Sequence, residues 1–291
     1  MPQFKLTVLR NCAAAAIFSV AFGGIACAQQ VVKIAIAGDY APWNMTSPSG
    51  KLIGFEPDLM HYLCKTAGLK CEFVPQPWDG MISALQAGKF DAIVDAISIT
   101  PAREKVIAFS LPYASTPAGF EIKVDGRIKQ LPDTGKTVCL KGPDKDAADF
   151  TALRAALKGK TIGIQTGTVY TTFIQNTFGD IAKIRTYNSP AERDMAIETG
   201  RVDVGFDDAT YIGYAISQPG GDKLKLSGPL VAGPIWGPGE GIGLRLNETA
   251  LKAKFDAAIK QAIATGEIKT LSLKWLKVDV TPVASGVGCG G

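Results

Sequence analysis

The sequence predicts an α/β protein of two lobes, each a mostly parallel sheet flanked by helices. Short apolar segments typical of buried strands alternate with amphipathic segments typical of helices from residue 31 to about residue 227. A looser stretch at 114–158 divides these elements into two sets. The chain has 291 residues, of which 46% are hydrophobic and 20% charged, so it suits one or two globular domains and is neither disordered nor fibrous.

The first set contains three helices, each following a strand. Pro57, a favoured first helical residue, begins a helix that ends at Gly68. A second helix follows Asp79 and ends at Gly88, and a third begins at Thr100. The strands of this set are expected at 31–37, 71–74 and 93–99.

The second set repeats the pattern. Its strands are expected at 161–165, 181–187 and 202–206, and its helices at 168–178, 189–200 and 208–217. Glycine and proline dominate 229–241, which argues against regular structure there. The tail at 248–276 is predicted to be helical and to be divided by Gly266.

The first 28 residues have the composition of a secretory signal peptide. Two basic residues precede an apolar segment at 13–26, and an A-x-A cleavage site lies at 26–28. The alternative is a lipoprotein that retains Cys27, but Gly24 stands where such a signal usually has a Leu-like residue. We therefore predict a periplasmic protein released by signal cleavage.

The rest of the chain gives no sign of a membrane span or of a polyanionic partner. No other apolar run approaches the ~20 residues that a spanning helix needs. Without the two basic residues of the signal, the formal net charge of +4 becomes +2. No run rich in lysine or arginine suggests nucleic-acid binding.

Four cysteines follow the signal, an even number that predicts pairing in an oxidising compartment. Cys64 and Cys71 flank a helix end and the next strand, which suits a short disulfide. Cys139 and Cys289 would then pair by default, although the sequence does not show whether they are close enough. No metal site is expected, because there is no CxxC motif and His61 is the only histidine.

The segment FDAIVDAISITPAREK at 90–105 places polar side chains within and after an apolar strand. Asp95 lies among its apolar residues, and a buried carboxylate is unfavourable unless it is paired or hydrogen-bonded. Arg103 lies in the first turn of the next helix, where the helix dipole favours acids. This local conflict indicates a guanidinium placed for a ligand carboxylate, assisted by the Ser98 hydroxyl. The alternative is a surface arginine paired with an acid.

Other polar and aromatic residues follow strands, where ligands bind in open α/β sheets. The segment TGT at 166–168 opens a helix whose free N–H groups suit an anion, or it is an ordinary cap. The pair DD at 207–208 can cap a helix with one carboxylate and accept from an ammonium group with the other. Tyr40, Trp43 and Trp78 can enclose a flat or cationic group, with packing under a loop as the alternative for Trp43.

The order of these motifs resembles the periplasmic solute-binding proteins of polar amino-acid ABC transporters. That family includes lysine/arginine/ornithine-, histidine- and glutamine-binding proteins and opine-binding relatives. The resemblance covers nearly all of the chain after the signal, and the tail is most similar to the opine branch. It rests on YAPW at 40–43, KLIGFEPDL at 51–59, WDGMISAL at 78–85, KFDAIVDAISITPAREKVIAFSLPY at 89–113, GRVDVGFDD at 200–208 and GIGLRL at 241–246. The spacing of Cys64 and Cys71 matches the disulfide of the histidine-binding branch.

The resemblance implies a type II clamshell whose chain crosses twice between the lobes. Lobe 1 is expected at 29–115 and 229–291, and lobe 2 at 116–228. The family's ligand contacts then fall on residues of both lobes. An α-carboxylate would be bound by Arg103 and Ser98 and by backbone N–H groups at Thr168 and Val169, an α-ammonium by Asp208, and the side chain would be enclosed by Tyr40 and Trp78, with Ala96 contributing through its backbone.

Departures from the family pattern bear on the ligand. The acid that basic-amino-acid binders carry shortly before the tyrosine has no clear counterpart, although Asp39 is near. Position 95 usually holds Ser, Ala or Gly in relatives and holds Asp here. Because Arg103 and Asp208 would neutralise the α-groups, Asp95 would remain uncompensated unless the ligand brings a positive side chain.

The sequence therefore predicts a binding protein, not an enzyme, for arginine, lysine, ornithine, histidine or a cationic opine. Hinge closure would capture the ligand for an ABC permease in the inner membrane, and we expect a monomer without a cofactor. One alternative is an exported dehydratase of the cyclohexadienyl type, with Asp95 or Glu240 as acid or base. Another is a binding protein that docks a sensor.

Overall fold

The structure is a computed structural model that describes residues 1–2, 31–141, 150–283 and 289. The predicted signal peptide lies almost entirely outside the described residues. Within these ranges no helix combines the length and the apolar character needed to cross a membrane.

Strands and helices are numbered along the chain. The strands are β1 (Val31–Ile36), β2 (Asp39–Tyr40), β3 (Asn44–Thr46), β4 (Leu52–Ile53), β5 (Lys70–Pro75), β6 (Ala92–Ile93), β7 (Ala108–Ala114), β8 (Ala118–Lys123), β9 (Thr137–Cys139), β10 (Thr161–Gln165), β11 (Lys183–Tyr187), β12 (Val204–Asp208), β13 (Leu224–Leu226), β14 (Leu230–Ala232) and β15 (Glu240–Leu244). The helices are α1 (Phe55–Thr66), α2 (Met81–Gln86), α3 (Pro101–Glu104), α4 (Thr151–Leu157), α5 (Val169–Phe178), α6 (Pro190–Glu198), α7 (Ala209–Ser217), α8 (Thr249–Ala264) and α9 (Glu267–Trp275).

The first lobe is built on a five-stranded sheet in the order β5-β1-β6-β15-β7. Successive residues of β1 point to opposite faces, so Ile34 packs in the core under α1, α8 and α9, while Ala35 packs in a second core with α2. A small antiparallel sheet of β2, β3 and β4 lies beside α1. This small sheet carries Asp39 and Tyr40 to the side of the lobe that faces the cleft.

The second lobe is built on a sheet in the order β11-β10-β12-β8-β14-β9, with β13 also paired to β8. Its core includes a group of packed aromatic rings. Phe120 and Phe206 lie 4.5 Å apart between ring centroids, and Trp236 packs on Phe173 at 5.2 Å. The start of α5 stands over this core and faces the first lobe.

The predicted two-lobed α/β fold is confirmed, and the sheets are mixed instead of mostly parallel. In the first sheet β1 is parallel to β5 and β6, whereas β15 is antiparallel to β6 and β7. In the second sheet β8 is antiparallel to β12, β13 and β14. The reason is topological: β8 and β15 enter each sheet from the other lobe and run against its βα strands.

The chain crosses between the sheets after β7 and again after β14. The predicted return to lobe 1 at residue 229 comes too early, because β14 pairs with β8 and β9 of the second sheet and Trp236 packs in the second core. The return crossing therefore lies between Ala232 and Glu240. The high glycine and proline content of 229–241 argued against regular structure, but this segment contains the short strand β14.

The predicted strand at 93–99 is also shorter than expected. Regular pairing ends at Ile93, and Ala96 has a φ of 44°, a left-handed conformation that turns the chain. Ile97 and Ile99 are buried all the same. The apolar pattern therefore predicted the burial of these residues correctly, but they lie in an irregular segment at the cleft and not in a strand.

Both cysteine pairs form disulfides. Cys64 and Cys71 are joined with their Cα atoms 6.3 Å apart, as predicted. Cys139 and Cys289, which the sequence left open, are joined with their Cα atoms 5.7 Å apart. The second disulfide attaches the end of the chain to β9 of the second lobe.

Candidate functional site

A cavity lies between the lobes where the strands of both sheets end. Its space is about 430 Å³, including the part open to solvent. All the predicted ligand-binding residues line it except Asp208. The lining consists of Asp39, Tyr40, Trp78, Asp95, Ala96, Ser98 and Arg103 from the first lobe and Gln165, Thr168, Val169 and Tyr170 from the second.

Arg103 is the cation of the cavity, and no described acid forms an ion pair with it. Thr100 caps the short helix α3 that carries it. The guanidinium donates from Nη1 to the Ser98 carbonyl at 2.9 Å and from Nη2 to the Gly167 carbonyl of the other lobe at 3.2 Å. Burial lowers the pKa of Arg103 to about 10. A half-buried guanidinium without a carboxylate partner favours an anion in the cavity.

Trp78 covers the guanidinium and also connects the lobes. Its ring lies over Arg103, with 5.3 Å between the guanidinium carbon and the ring centroid. Its indole Nε1 donates to the Thr166 carbonyl of the second lobe at 3.1 Å. Trp78 is therefore held in place on both sides of the cleft.

Asp95 is an acid of the cavity, and no described cation pairs with it. Its side chain follows β6 and is only 6% exposed. Its Oδ1 accepts from the backbone N–H of Ala37 at 3.1 Å and from Asn44 Nδ2 at 2.8 Å. Burial, followed by the nearby charge of Glu56, raises the pKa of Asp95 well above its usual range.

Ala96 and Ser98 shape the floor of the cavity mainly through the backbone. The Ala96 N–H donates to Glu56 Oε1 at 2.7 Å, so this N–H group is already engaged within the lobe. The Ser98 carbonyl orients Arg103, and Ser98 lines the cavity while pairing in a β-bridge with Glu240.

The second lobe contributes the start of α5. Thr168 caps this helix: its Oγ1 accepts from the Thr171 N–H at 3.3 Å and donates to the Gln165 carbonyl at 2.9 Å. The helix begins at Val169, and its start lines the cavity with Thr168, Val169 and Tyr170, where the first N–H groups of a helix lack intrahelical partners. This end of a helix attracts an anion, as Arg103 does from the opposite side.

Tyr40 lines the cavity and reaches across the cleft. Its hydroxyl donates to Asp207 Oδ1 at 2.6 Å, and its ring stacks on Tyr211 with centroids 5.0 Å apart and planes 11° apart. Asp207 also accepts from the buried Arg193. Tyr40 thus combines a cavity wall with an interlobe hydrogen bond.

Asp208 does not reach the cavity, contrary to the sequence-based expectation. It is 2% exposed and caps α7, accepting from the N–H groups of Thr210 at 2.8 Å and Tyr211 at 3.0 Å. Its other oxygen accepts from the Thr116 hydroxyl. Trp43 is completely buried and donates from Nε1 to Thr210, which supports the packing interpretation for that ring. Asp208 is therefore occupied by the fold itself.

The rule that ligands bind where strands end also pointed to 165–170, and Gln165 and Tyr170 line the cavity from the second lobe, although neither was assigned a contact. Sequence reasoning missed Asn44, which links Asp95 to Glu56 behind the first lobe's wall. Asn44 and Glu56 gave no usable signal, because only the folded small sheet brings them beside position 95.

Comparisons with known proteins agree with this architecture. Residues 32–278 match the bacterial extracellular solute-binding proteins, family 3. An octopine-binding periplasmic protein of Rhizobium meliloti is 39% identical over 294 residues, covering 94% of this chain and 99% of that protein. A histidine-binding periplasmic protein of Salmonella typhimurium is 31% identical over 268 residues, covering 90% of this chain and 94% of that protein. A crystal structure of a periplasmic His/Glu/Gln/Arg/opine family-binding protein from Silicibacter pomeroyi, in complex with lysine, has a TM-score of 0.69 at 28% identity and covers 87% of this chain and 100% of that one.

Proposed function

Because the chain belongs to the bacterial extracellular solute-binding proteins of family 3, we propose that it is the substrate-binding component of an ABC importer. The proposed ligand is a cationic amino acid (arginine, lysine, ornithine or histidine) or a cationic opine. The protein acts in the periplasm as a monomer, after removal of residues 1–28, and delivers its ligand to a permease of the inner membrane. No cofactor takes part.

The charges that line the cavity carry this proposal. Arg103 offers a positive charge without a paired acid, and Asp39 and Asp95 offer carboxylates without a paired cation among the described residues. Bound arginine would bring one carboxylate, one ammonium and one guanidinium. Its net charge of about +1 balances a cavity in which both acids are ionised. Burial without such a balance is unfavourable, so the cavity favours a ligand of this kind.

The same count favours an amino acid over an opine. An opine carries an additional carboxylate, which would need a second cation, and Arg103 is the cationic side chain among the lining residues. An opine remains a candidate ligand because the chain is similar to an octopine-binding protein, and because cationic opines and cationic amino acids share a positively charged side chain.

Binding would draw donors from both lobes to the α-carboxylate. Arg103 and Ser98 lie on one side, and the helix start at Thr168 and Val169 lies on the other. A ligand held by both sides stabilises the closed arrangement over an open one, which is how hinge closure follows from binding. Trp78 and Tyr40 would enclose the side chain. Since Asp208 caps α7, we propose Asp39 as the cavity acid available to the ammonium group.

A thermal-shift screen followed by calorimetry tests the proposal. We expect arginine, lysine, ornithine or histidine to stabilise the protein by roughly 3–4 kcal/mol at 100–1,000 times the dissociation constant. Octopine should bind more weakly than the best amino acid. Glutamate and glutamine are the controls, and a stronger response to either would contradict the choice of a cationic ligand.

The same assay tests the alternative that the protein is a dehydratase. Prephenate carries two carboxylates, which the cavity's acids disfavour, so we expect neither binding nor release of aromatic product. Formation of aromatic product from prephenate or arogenate would contradict the proposal. A binding protein that docks a sensor would hold its ligand in the same cavity, so transport has to distinguish the two roles. For an importer component, deletion of the gene should abolish uptake of the ligand.

A further inference from the structure

The carboxyl groups of Asp95 and Glu56 are joined by one amide group. Asn44 Nδ2 donates to Asp95 Oδ1 at 2.8 Å and to Glu56 Oε2 at 2.7 Å, so both of its N–H bonds are used. Asn44 is itself fixed, because its Oδ1 accepts from the Gly38 N–H at 2.7 Å. The two acids are therefore held close together at the end of β6, one facing the cavity and one behind it.

No cation is paired with these two acids among the described residues; Arg103 lines the same cavity but forms no ion pair with either of them. Glu56 and Asn44 are completely buried and Asp95 is 6% exposed. The groups that face the pair are acidic or neutral: Asp39 from β2, Tyr113 from β7 and the buried Glu240 from β15. Within the described residues no lysine, arginine or histidine forms an ion pair with either acid. Two adjacent buried carboxylates without a cation are unfavourable when both are ionised.

Hydrogen bonding indicates which acid carries the proton. Burial raises the pKa of Glu56 as well, but Glu56 accepts from three donors, Asn44, the Ala96 N–H and the Tyr113 hydroxyl, and these stabilise its ionised form. Asp95 accepts from two donors, and both reach the same oxygen, Oδ1. No described donor reaches its Oδ2, which leaves that oxygen able to hold a proton. Burial and the charge of Glu56 together raise the pKa of Asp95 well above its usual range.

We propose that the unliganded site holds one proton on Asp95 and that the cationic side chain of the ligand displaces it on binding. This inference rests on the function proposed above and concerns the same cavity. The protonated carboxyl group of Asp95 loses its proton to solvent, and the carboxylate that forms pairs with the ligand's guanidinium or ammonium group. The ligand keeps its own protons, so one proton is released for each ligand bound.

Two consequences distinguish this mechanism from a fixed ion pair. Affinity for a cationic ligand rises with pH, by up to tenfold per pH unit, until Asp95 is ionised in the unliganded protein. An uncharged ligand of the same shape cannot displace the proton, so its affinity stays constant over that range. The protein therefore distinguishes a cationic ligand from an uncharged one by whether the ligand can displace the proton of Asp95.

The experiment has two arms. In the first, the carboxyl ¹³C signals of the ligand-free protein are followed by NMR against pH, and Asp95→Asn identifies the signal of Asp95. Asn at this position keeps an oxygen to accept from Ala37 and Asn44, so the fold should persist. We expect a midpoint well above the ordinary value of about 3.9. A midpoint near that value would overturn the proposal.

In the second arm, calorimetry with arginine and with its uncharged analogue citrulline is run in two buffers of different ionisation enthalpy. Arginine should release close to one proton below the Asp95 midpoint, and citrulline none. Asp95→Asn should abolish the release and weaken arginine binding by roughly 30-fold or more. Asp39→Asn is the comparison, measured at saturating arginine: it should weaken binding, because Asp39 is the proposed partner of the ammonium group, but the arginine that binds should still release a proton from Asp95.

The outcomes separate this inference from the proposed function. Arginine binding without proton release would overturn the proton displacement and leave the proposed function standing. Loss of release in Asp39→Asn instead of Asp95→Asn would also overturn the assignment to Asp95. If arginine and the other cationic amino acids fail to bind while Asp95 still titrates at a raised midpoint, the proposed function fails and the displacement fails with it.

Discussion

Two groups of buried acids face each other across the cleft, and they differ in whether the fold supplies a cation. In the second lobe the completely buried Arg193 contacts Glu121 at 2.9 Å, Asp194 at 2.7 Å and also Asp207. In the first lobe Asp95 and Glu56 share only the neutral Asn44. The first arrangement holds the protein together, whereas the second leaves a charge requirement for a ligand to meet.

The arginines of the two lobes differ in the same way. Arg193 is surrounded by acids, and Arg103 has carbonyl oxygens but no acid. A guanidinium with internal partners stabilises the fold, and one without them stabilises a bound anion. Substituting each arginine in turn therefore gives the sharpest test of the difference.

The largest effect is expected when Arg193 is replaced by Met. The buried Glu121 and Asp207 and the partly buried Asp194 would then lose their cation, and the free energy of unfolding should fall by about 3–5 kcal/mol. Urea denaturation of the ligand-free protein measures this change. The control is Arg127→Met, whose side chain is 79% exposed and lies 3.8 Å from Asp203, with an expected loss below about 1 kcal/mol. Equal losses would contradict the structural role of Arg193.

The substitution Arg103→Met should act on binding instead of stability. Loss of the charged partner of the ligand carboxylate is expected to weaken arginine binding by about 2–5 kcal/mol, measured by calorimetry. The ligand-free protein should be about as stable as the wild type, because Arg103 is only half-buried and forms no ion pair with a described acid. A loss of stability like that of Arg193→Met would place Arg103 among the structural arginines.

Stability of the ligand-free protein should depend on pH through the first group of acids. The pKa of Asp95 is raised in the folded protein, so the folded state binds this proton more tightly than the unfolded chain does. Its contribution is complete below the unfolded value of about 3.9 and is lost as pH rises through the folded value, at about 1.4 kcal/mol per unit of difference. Melting temperatures measured against pH should fall more steeply for the wild type than for Asp95→Asn; superimposable profiles would refute the linkage.

The smallest effect is expected for the hydrogen bond between Tyr40 of the first lobe and Asp207 of the second lobe. Tyr40→Phe removes the hydroxyl that donates to Asp207 but keeps the ring on Tyr211. Because this bond spans the cleft, its loss should weaken arginine binding by about 1 kcal/mol, or roughly fivefold in Kd. Tyr62→Phe is the control, since its hydroxyl bonds to Thr265 within the first lobe. A similar loss in that variant would show that the effect is not interlobe.

Sequence reasoning reached the fold and most of the cavity because both follow from local rules. Alternating apolar segments located the strands, and residues after strand ends, such as Arg103 and Thr168, came together as expected. The choice between two adjacent acids did not follow from such rules. Asp208 became a helix cap and Asp207 a partner of Arg193 and Tyr40, and these roles depend on contacts distant in the sequence. The same applies to Asn44, whose neighbours are set by the small sheet.

The disulfide between Cys139 and Cys289 has a consequence for the covalent integrity of the molecule. It closes a loop that spans 150 residues and contains the return crossing between Ala232 and Glu240, whereas the first crossing, between Ala114 and Ala118, lies outside it. A protease cut in the return crossing leaves one covalently linked molecule until the disulfide is reduced. A cut in the first crossing separates the chain into two pieces at once. The two crossings thus differ in whether a single cut leaves the chain covalently linked.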